Sequence, residues 1–540
     1  MKPAACWMAV HLPALSIESF AATLGPEQAH RPLALLEGPQ IVAVDVRAWE
    51  AGVRPGQRRA TALALEPGLL LGRAEPLRDR QALRAVAWAA LQFSPCVTEQ
   101  APHTVLLEVA ATTRLFGGLE RLARRLCETL KPLRHQVRLA CAPTAWGAAL
   151  LALWEGGEGW EGREGWEGRE GSDRQELRKV AEGLDASPGR PFGIGPHTFS
   201  LQALRDVLDK VPLTLLCAQT SQWEALQGMG LQRVGDLRAL PRQGLARRFG
   251  PALLQRLDQA RGDAPDPREG LSLPATFQAR LELFARADTT EQVLHGAELL
   301  LARLVHWAQA RQARVSRFTL EMAHERRHRA DDSTPARSAL PIALAQPCAD
   351  VAHLRALLRE RLARTPLPAP TLELHLRCDE LAHAAPPDGE LFPTRARAQE
   401  GLARLVEHLQ ARLGAERVHG LAPVADHRPE RGVGQQTPRP PSSSLRASGA
   451  PALPHLTRPA WLLPVPRPLP EHRGRPLWDG QPLRLLAGPE RIEAGWWDGP
   501  AAARDYFVAG TPAGVLVWIY RTRLPQPGSP EGWALQGWFG

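Results

Sequence analysis

This sequence of 540 residues contains few cysteines and no long apolar run. Its seven cysteines stand singly with no C-x-x-C pair, so neither a zinc site nor a disulfide framework is indicated, and a reducing cytoplasm fits best. The apolar run Val515–Tyr520 is far too short to span a bilayer. His11, Pro13 and Glu18 interrupt the apolar stretch that a signal peptide would need. We therefore expect a cytoplasmic protein without a membrane partner.

Lysine is also scarce, and nearly all of the 66 basic residues are arginine, as a GC-rich genome would produce. The formal charge of +9 makes a polyanion partner plausible, because clustered cations gain affinity by releasing the counterions condensed on phosphates. A codon-biased surface explains the same number equally well. Charge alone therefore leaves nucleic-acid binding open.

The length exceeds one ordinary core, so three to five folding units are expected. Residues 1–150 alternate short apolar runs with helical patterns, and residues 275–425 twice repeat helix followed by strand. The first pattern is typical of an α/β or α+β sheet domain, and the second indicates a small α+β sheet with helices on one face. The fold class expected is therefore α+β with several domains.

Two stretches are irregular. GWEGRE occurs twice in tandem from Gly159 and Gly165, and a Gly- and Glu-rich repeat of this kind cannot bury a core, so we expect a disordered insertion over 154–172. Residues 426–478 are dense in proline and indicate an extended linker. Beyond them, alternating aromatic runs predict a small antiparallel β-element over 479–540.

A compact helical unit lies between these parts, and its glycines at Gly228 and Gly230 predict short helices joined by tight turns. Small helical units of this kind often dock on DNA phosphates. A plain helical subdomain fits the local pattern equally well. The first candidates for phosphate contacts are Arg233, Arg242, Arg247 and Arg248.

The stretch MAVHLPALSIESF, which starts at Met8, has the apolar frame of an active-site strand without its acids. A template-directed polymerase needs two Mg²⁺ ions about 3.5 to 4 Å apart, clamped by carboxylates. The candidate ligand positions are His11 and Pro13 in the first strand and His103 and Thr104 beside a later one. None of these residues is a carboxylate.

The order of elements resembles that of the Y-family DNA polymerases, and more narrowly the ImuB branch, whose members are described as catalytically inactive. The resemblance covers nearly the whole chain except the GWEGRE insertion. The motifs that carry it are WMAVHLPAL, GVRPGQ, TVLLEVAATTRLFGG, LACAPTAWGAALLA, LQGMGLQRVGDLRALP and GPERIEAGWWDG followed by RDYFVAG. The resemblance implies a right-hand arrangement, which would place palm and fingers at 1–192, a helical thumb-like unit at 193–268 and a little-finger-like unit at 272–425.

By the same resemblance, the metal-binding acids of active enzymes fall on His11, Pro13, His103 and Thr104. The tyrosine and arginine that hold the incoming triphosphate fall on Val46 and Trp49, and a later basic residue falls near Ala145. The nearby acids Asp45 and Glu108 do not replace the lost set. A metal pair formed by His11 and His103 is an alternative, because imidazole suits Zn²⁺, although structural histidines fit better. No cofactor is expected.

The resemblance also implies partners: DNA, the sliding clamp, an error-prone C-family DNA polymerase and a RecA-like ImuA accessory protein. We expect the clamp to bind PDGELFPTR through Leu391 and Phe392, although Asp388 stands where the family motif has glutamine. A hydrophobic staple onto the following helix is the alternative. The terminal LQGWFG is a weaker rival. The 479–540 element on its tether would suit partner recruitment.

Three functions follow from these patterns. The first is a scaffold in DNA damage tolerance and SOS mutagenesis that forms no phosphodiester bond. The second is an active translesion polymerase with diverged metal ligands, against which the missing acids argue. The third is a DNA-binding or structural protein with no damage role, which predicts no clamp or polymerase partner.

Overall fold

The structure is a computed structural model, and it describes residues 5–154, 192–197, 200–217, 219–325, 335–383, 395–436, 458–497, 501–524 and 531–539. The expected repeat insertion lies outside these residues except for Trp154, and so do Leu391 and Phe392. The predicted α+β multidomain class is confirmed, because helices accompany several separate sheets. The chain divides into two compact units, Met1–Gly389 and Glu390–Gly540. None of the described helices is long and apolar enough to cross a membrane.

The first unit begins with a five-stranded sheet and a smaller three-stranded one. The sheets have the orders β5-β6-β1-β7-β8 and β3-β2-β4. In chain order the elements are β1 (Trp7–His11), α1 (Leu15–Ala21), β2 (Leu33–Glu37), β3 (Gln40–Val44), α2 (Val46–Glu50), α3 (Arg59–Leu65), β4 (Leu70–Arg73), α4 (Pro76–Ala90), β5 (Val97–Gln100), β6 (Thr104–Glu108), α5 (Leu119–Leu130), β7 (Val137–Ala142), α6 (Ala145–Leu153) and β8 (Phe192–His197).

Strand β1 is the centre of the larger sheet and sends alternate side chains into two cores. Met8 and Val10 pack with residues of α4 and α5, whereas Ala9 packs with α6 on the opposite face. Both neighbours of β1, strands β6 and β7, are antiparallel to it. Their register places Thr104 and Arg138 on either side of His11. The central strand is therefore covered on both faces, and its last residue lies between two other strands.

A helical group follows, made of α7 (Leu201–Leu208), α8 (Thr220–Gln227), a 3-10 turn (Val234–Ala239), α9 (Arg242–Phe249) and α10 (Pro251–Arg261). Its apolar residues share one core with α6. Thr144 caps α6 by accepting a hydrogen bond from the Gly147 amide at 3.1 Å, and its hydroxyl donates to the carbonyl of Ala260 in α10 at 2.7 Å. The helical group is thus fixed to the larger sheet through α6.

The rest of the first unit is an antiparallel sheet of order β11-β10-β12-β9. Its helices α11 and α12 pack their apolar residues with the same face of this sheet, as predicted from the repeated helix-strand pattern. A capping box of Thr289 and Gln292 starts α11. The elements are β9 (Gln278–Ala287), α11 (Thr290–Ala310), β10 (Ala313–His324), β11 (Arg337–Cys348), α12 (Val351–Ala363) and β12 (Thr371–His383).

The second unit contains a five-stranded antiparallel sheet of order β15-β22-β21-β20-β19. Inside it, Tyr506 stacks on Trp518 with ring centroids 4.2 Å apart, which explains the aromatic alternation in the sequence. The elements are α13 (Arg395–Leu413), β13 (Gly420–Pro423), β14 (Val433–Gln436), β15 (Trp461–Leu469), β16 (Glu471–His472), β17 (Arg475–Trp478), β18 (Gln481–Pro482), β19 (Arg484–Ala494), β20 (Ala502–Gly510), β21 (Leu516–Thr522) and β22 (Trp533–Trp538).

The structure differs from the extended linker expected over 426–478, because β15 and β17 both fall inside that range. Strand β15 carries prolines at 464, 466 and 468, yet it pairs with β22 around a register shift between Leu462 and Arg467. It is an edge strand, where the missing amide of proline costs no ladder hydrogen bond. The high proline content of this stretch therefore led to the expectation of a linker where the structure has a strand. The expected domain boundaries otherwise stay predictions.

Candidate functional site

The ends of β1 and β6 bring His11 and Thr104 into contact. The Nδ1 atom of His11 lies 3.0 Å from the Thr104 hydroxyl oxygen, which itself donates to the Pro102 carbonyl at 2.8 Å. Because that hydroxyl already donates its proton, Nδ1 of His11 is the donor in the first bond. Both side chains are buried. The structure thus joins two of the predicted metal-ligand positions by a hydrogen bond.

Arg138 of β7 is a neighbour that the sequence reasoning missed. It pairs directly with His11 across the sheet, so both side chains share the face that carries Ala9 and Ala140. The signal was present in VRLACA, whose alternation places an arginine on that face. An arginine at this register position supplies no oxygen ligand for a divalent cation such as Mg²⁺.

The other two predicted ligand positions lie in the turns next to the strands. His103 has φ of 43°, and its carbonyl accepts the amide of Leu12 at 2.9 Å. Burial lowers the pKa of His103, and the charge of Asp79 opposes that shift. Asp79 itself accepts hydrogen bonds from the hydroxyls of Ser16 and, at 2.7 Å, Ser19. Pro13 is half-buried between β1 and α1 and offers no ligand.

These residues do not fit a pair of Mg²⁺ ions like that of active polymerases, since Mg²⁺ demands oxygen ligands, chiefly carboxylates. Glu108 stands at the far end of β6, where Oε1 accepts the amides of Cys6 and Ala110. Asp45 caps α2 by accepting the amide of Ala48. In the part of the chain that the structure describes, no three His, Cys, Asp or Glu residues are arranged to hold a metal ion.

The predicted triphosphate positions, Val46 and Trp49, lie one turn apart on α2 and share its exposed face. The guanidinium of Arg54 lies 3.9 Å from the centre of the Trp49 ring and also donates to the Trp49 carbonyl. This arginine belongs to the quoted GVRPGQ motif, and the sequence reasoning did not single it out. Ala145, near which a basic residue was expected, is the buried first residue of α6.

The four arginines of the helical group that were predicted to contact phosphate differ in whether their charge is already paired within the protein. Arg242 forms an ion pair with Asp258 at 2.5 Å, whereas the Arg248 guanidinium lies 5.5 Å from the Phe249 ring centre. Arg233 and Arg247 are exposed and form no ion pair with any described residue. Arg247 and Arg248 stand in the last turn of α9, where cations complement the helix dipole.

The glycine turn of this group does not present free amides. The amides of Met229 and Gly230 bond to the Leu226 and Gln227 carbonyls at 3.1 and 2.8 Å. The Asp236 carboxylate accepts the amides of Arg233 and Gln232 at 2.8 and 2.9 Å, and these bonds lower the pKa of that carboxyl. Any phosphate contact here therefore depends on arginine side chains.

No family model matches the chain. Two curated proteins, both named Protein ImuB and from the NA1000 / CB15N and CB 15 strains of Caulobacter vibrioides, are 28% identical to it over 505 residues. These alignments cover 91% of this chain and 100% of each relative.

Solved structures similar to the chain include an insertion ternary complex of Dbh DNA polymerase, 14% identical with a TM-score of 0.37. That match covers 70% of this chain and 100% of the polymerase. DinB from Sulfolobus solfataricus is 15% identical with a TM-score of 0.36, and the match covers 69% of this chain and 98% of DinB. The likeness to solved structures is remote at these values, and the sequence relatives alone support the assignment that the chain is ImuB-like over 91% of its length.

Proposed function

We propose that this protein is a non-catalytic, polymerase-shaped scaffold in DNA damage tolerance, acting in the cytoplasm. It binds primer-template DNA and brings the sliding clamp and an error-prone polymerase to it. The observation that carries the proposal is the buried hydrogen bond between His11 and Thr104 beside Arg138, at positions to which the resemblance assigns the metal-binding acids of active polymerases. The similarity to ImuB supports the same role.

Three features of the strand ends disfavour nucleotidyl transfer. His11 presents an N–H toward Thr104 instead of an anionic oxygen, and the neutral Thr104 hydroxyl already donates its proton to the Pro102 carbonyl. The register places Arg138 next to His11, and an arginine offers no oxygen ligand to Mg²⁺. On α2, Val46 and Trp49 carry neither the phenol hydroxyl nor the positive charge that the resemblance assigns to the triphosphate site. These positions therefore provide neither anionic ligands for the metal ions nor the groups that would hold the incoming triphosphate.

Two features support recruitment. In the second unit, Trp496 and Trp497 are 77% and 59% exposed and contact each other edge to face at 5.4 Å. Exposed tryptophans are frequent binding hot spots, and they make this unit the candidate site for the C-family polymerase or the RecA-like ImuA accessory protein. The clamp peptide with Leu391 and Phe392 rests on its sequence pattern, because it lies outside the described residues.

A primer-extension assay with Mg²⁺ and with Mn²⁺ tests the proposal on a preparation that is shown to bind the same primer-template DNA. We expect no incorporation above a blank without protein. His11→Asp with His103→Asp should also stay at the blank, because the triphosphate positions Val46 and Trp49 remain without their chemistry. Incorporation by the wild type that His11→Ala abolishes would establish the alternative, an active polymerase with diverged ligands.

A further inference from the structure

A cleft of about 620 Å³ opens in the first unit between α1, the β4–α4 connection and β9. Phe20 and Phe284 contact each other edge to face at 5.3 Å on its wall. Arg303 of α11 lines the same cleft from the core side. Its volume lies in the range of small-molecule sites, roughly 300 to 1,000 Å³.

Arg303 is a buried cation without a counter-ion. Only 4% of the residue is exposed, it forms no hydrogen bond or ion pair with any described residue, and its buried Nε has no partner. Burial lowers the pKa of this guanidinium to about 10, so the side chain is still protonated at neutral pH. An uncompensated buried charge is costly, and it is normally paired.

Among the described residues, the other two buried arginines are paired with carboxylates. Arg261 is 7% exposed and bonds to Asp209 at 2.5 Å, and Arg428 is 4% exposed and bonds to Asp426 at 2.6 Å. Arg303 departs from this pattern, and it does so where an open cleft gives an external anion access to it. An anion from solution can therefore reach Arg303 through the cleft.

The rim of the cleft adds further cations. Arg73 is exposed and forms no ion pair with a described residue, while Arg78 donates to the Arg73 carbonyl at 2.9 Å and lies 3.5 Å from Glu75. Arg280 is shared between Glu373 and, at 4.0 Å, Glu282. The lining thus holds four arginines against the two glutamates Glu75 and Glu282. In two of these arginines, Arg303 and Arg73, the guanidinium forms no hydrogen bond or ion pair with any described residue.

We propose that this cleft binds a phosphate group, with Arg303 as its buried ligand and Arg73 as a ligand at the rim. A guanidinium presents two parallel N–H donors that match adjacent phosphate oxygens, and a second arginine matches the second negative charge. The phosphate belongs either to a free phosphorylated ligand or to the backbone of DNA. The inference does not rest on the scaffold role, since phosphate binding can be measured without DNA.

Titration of the full chain with pyrophosphate, by calorimetry at fixed ionic strength, tests the site. Arg303→Met should weaken pyrophosphate binding at least tenfold without lowering the Tm of the ligand-free protein, because an apolar side chain replaces an unpaired buried charge. The matched control is Arg311→Met, at the end of the same helix, whose guanidinium donates to the Pro274 carbonyl at 3.0 Å. The control should bind pyrophosphate like the wild type. If Arg303→Met fails to fold, Arg73→Ser gives the readout at the exposed rim, with binding several-fold weaker.

Two further titrations distinguish the sources of the phosphate. If the site takes DNA phosphate, Arg303→Met lowers the log-log salt slope of primer-template binding by about one. If it takes a free ligand, the variant loses affinity for dATP and pyrophosphate and keeps the DNA slope. Equal pyrophosphate binding by wild type and Arg303→Met, together with an unchanged DNA slope, would overturn the proposal.

Discussion

At the residue scale, the contact between His11 and Thr104 is a satisfied buried hydrogen-bond network. The resemblance implies metal-binding acids at these two positions, and a two-metal site needs anionic oxygen atoms that are open to the ions. A stable sheet instead needs its buried donors and acceptors to be paired. His11 and Thr104 meet the second requirement, and Arg138 next to His11 in the register adds no oxygen ligand.

Thr104→Val tests this reading at one side chain. The substitution keeps the shape but removes the acceptor of His11 Nδ1 and the donor to Pro102, so we expect a loss of about 2 kcal/mol in the free energy of unfolding. Urea denaturation followed by circular dichroism measures it. Thr98→Val on the neighbouring β5 is the matched control and should cost less than about 0.5 kcal/mol. Equal losses in the two variants would show that the network contributes nothing beyond the strand itself.

At the scale of elements, α6 links the larger sheet to the helical group through a very close approach. A Cβ atom on Gly147 would lie 2.5 Å from the Thr144 hydroxyl oxygen, 2.8 Å from Leu204 Cδ2 and 3.1 Å from the Ala260 carbonyl oxygen. The sequence AWGAALLAL is rich in small residues for the same reason. Helix α6 therefore packs at a distance that only glycine permits at this position.

Gly147→Ala sets helix propensity against packing. Alanine gains about 1 kcal/mol in a helix, but crowding in a filled core costs about 1 to 3 kcal/mol, so we expect a net loss of about 1 kcal/mol. Gly244→Ala in α9, where nothing lies within 4 Å of the added Cβ, should instead gain about 0.5 kcal/mol. Thermal unfolding should move in opposite directions for the two variants. A gain in both would mean that α6 can shift without cost.

At the scale of the whole molecule, the proposed scaffold role predicts DNA binding that is independent of sequence and strongly dependent on salt, and the net charge of +9 is compatible with it. The structure ranks the candidate arginines, because Arg242 is neutralised by Asp258 whereas Arg247 and Arg248 are exposed without an ion pair to any described residue. Charge that is already paired within the protein contributes little to counterion release on DNA.

We expect Arg247→Ala with Arg248→Ala to lower the log-log salt slope of DNA binding by roughly two, one for each lost phosphate contact. Arg242→Ala should change the slope much less, since its ion pair with Asp258 competes with phosphate. Fluorescence anisotropy over a salt series gives the slopes. If the double variant keeps the wild-type slope, both residues serve only the last turn of α9.

Clamp binding is the remaining test at this scale. Prolines at 386, 387 and 393 flank Leu391 and Phe392 and favour extended chain, which is the state that a groove-binding peptide adopts. Leu391→Ala with Phe392→Ala should weaken clamp binding about thirtyfold or more, a loss of about 2 kcal/mol, and leave the Tm and DNA affinity unchanged. A lower Tm with clamp binding retained would identify the pair as a hydrophobic staple.

The terminal LQGWFG, the weaker candidate for clamp binding, belongs largely to the five-stranded sheet of the second unit. Trp538 belongs to β22 and pairs with Trp461 and Val517, and the Phe539 amide bonds to the Leu516 carbonyl at 3.1 Å. Trp538→Ala should therefore lower the Tm, which separates this position from a free peptide in the same assays.

The sequence by itself determined the periodic parts of this protein. The α+β class followed from short apolar runs that alternate with helical patterns, and strands and helices alternate over residues 5–154 in the structure. Periodicity is local, so consecutive residues suffice to reveal it. The family resemblance added the positions His11 and Thr104, which the structure joins by a hydrogen bond.

Only the tertiary structure decided the rest, because it depends on contacts between residues far apart in the chain. Arg138 faces His11 through strand register, which no local pattern encodes. The proline-rich β15 is a strand because β22 pairs with it along one edge. Arg303 is buried without a counter-ion because of how the surrounding elements pack against α11. Register and burial are properties of the assembled sheets and cores, and they appear only when the chain is folded.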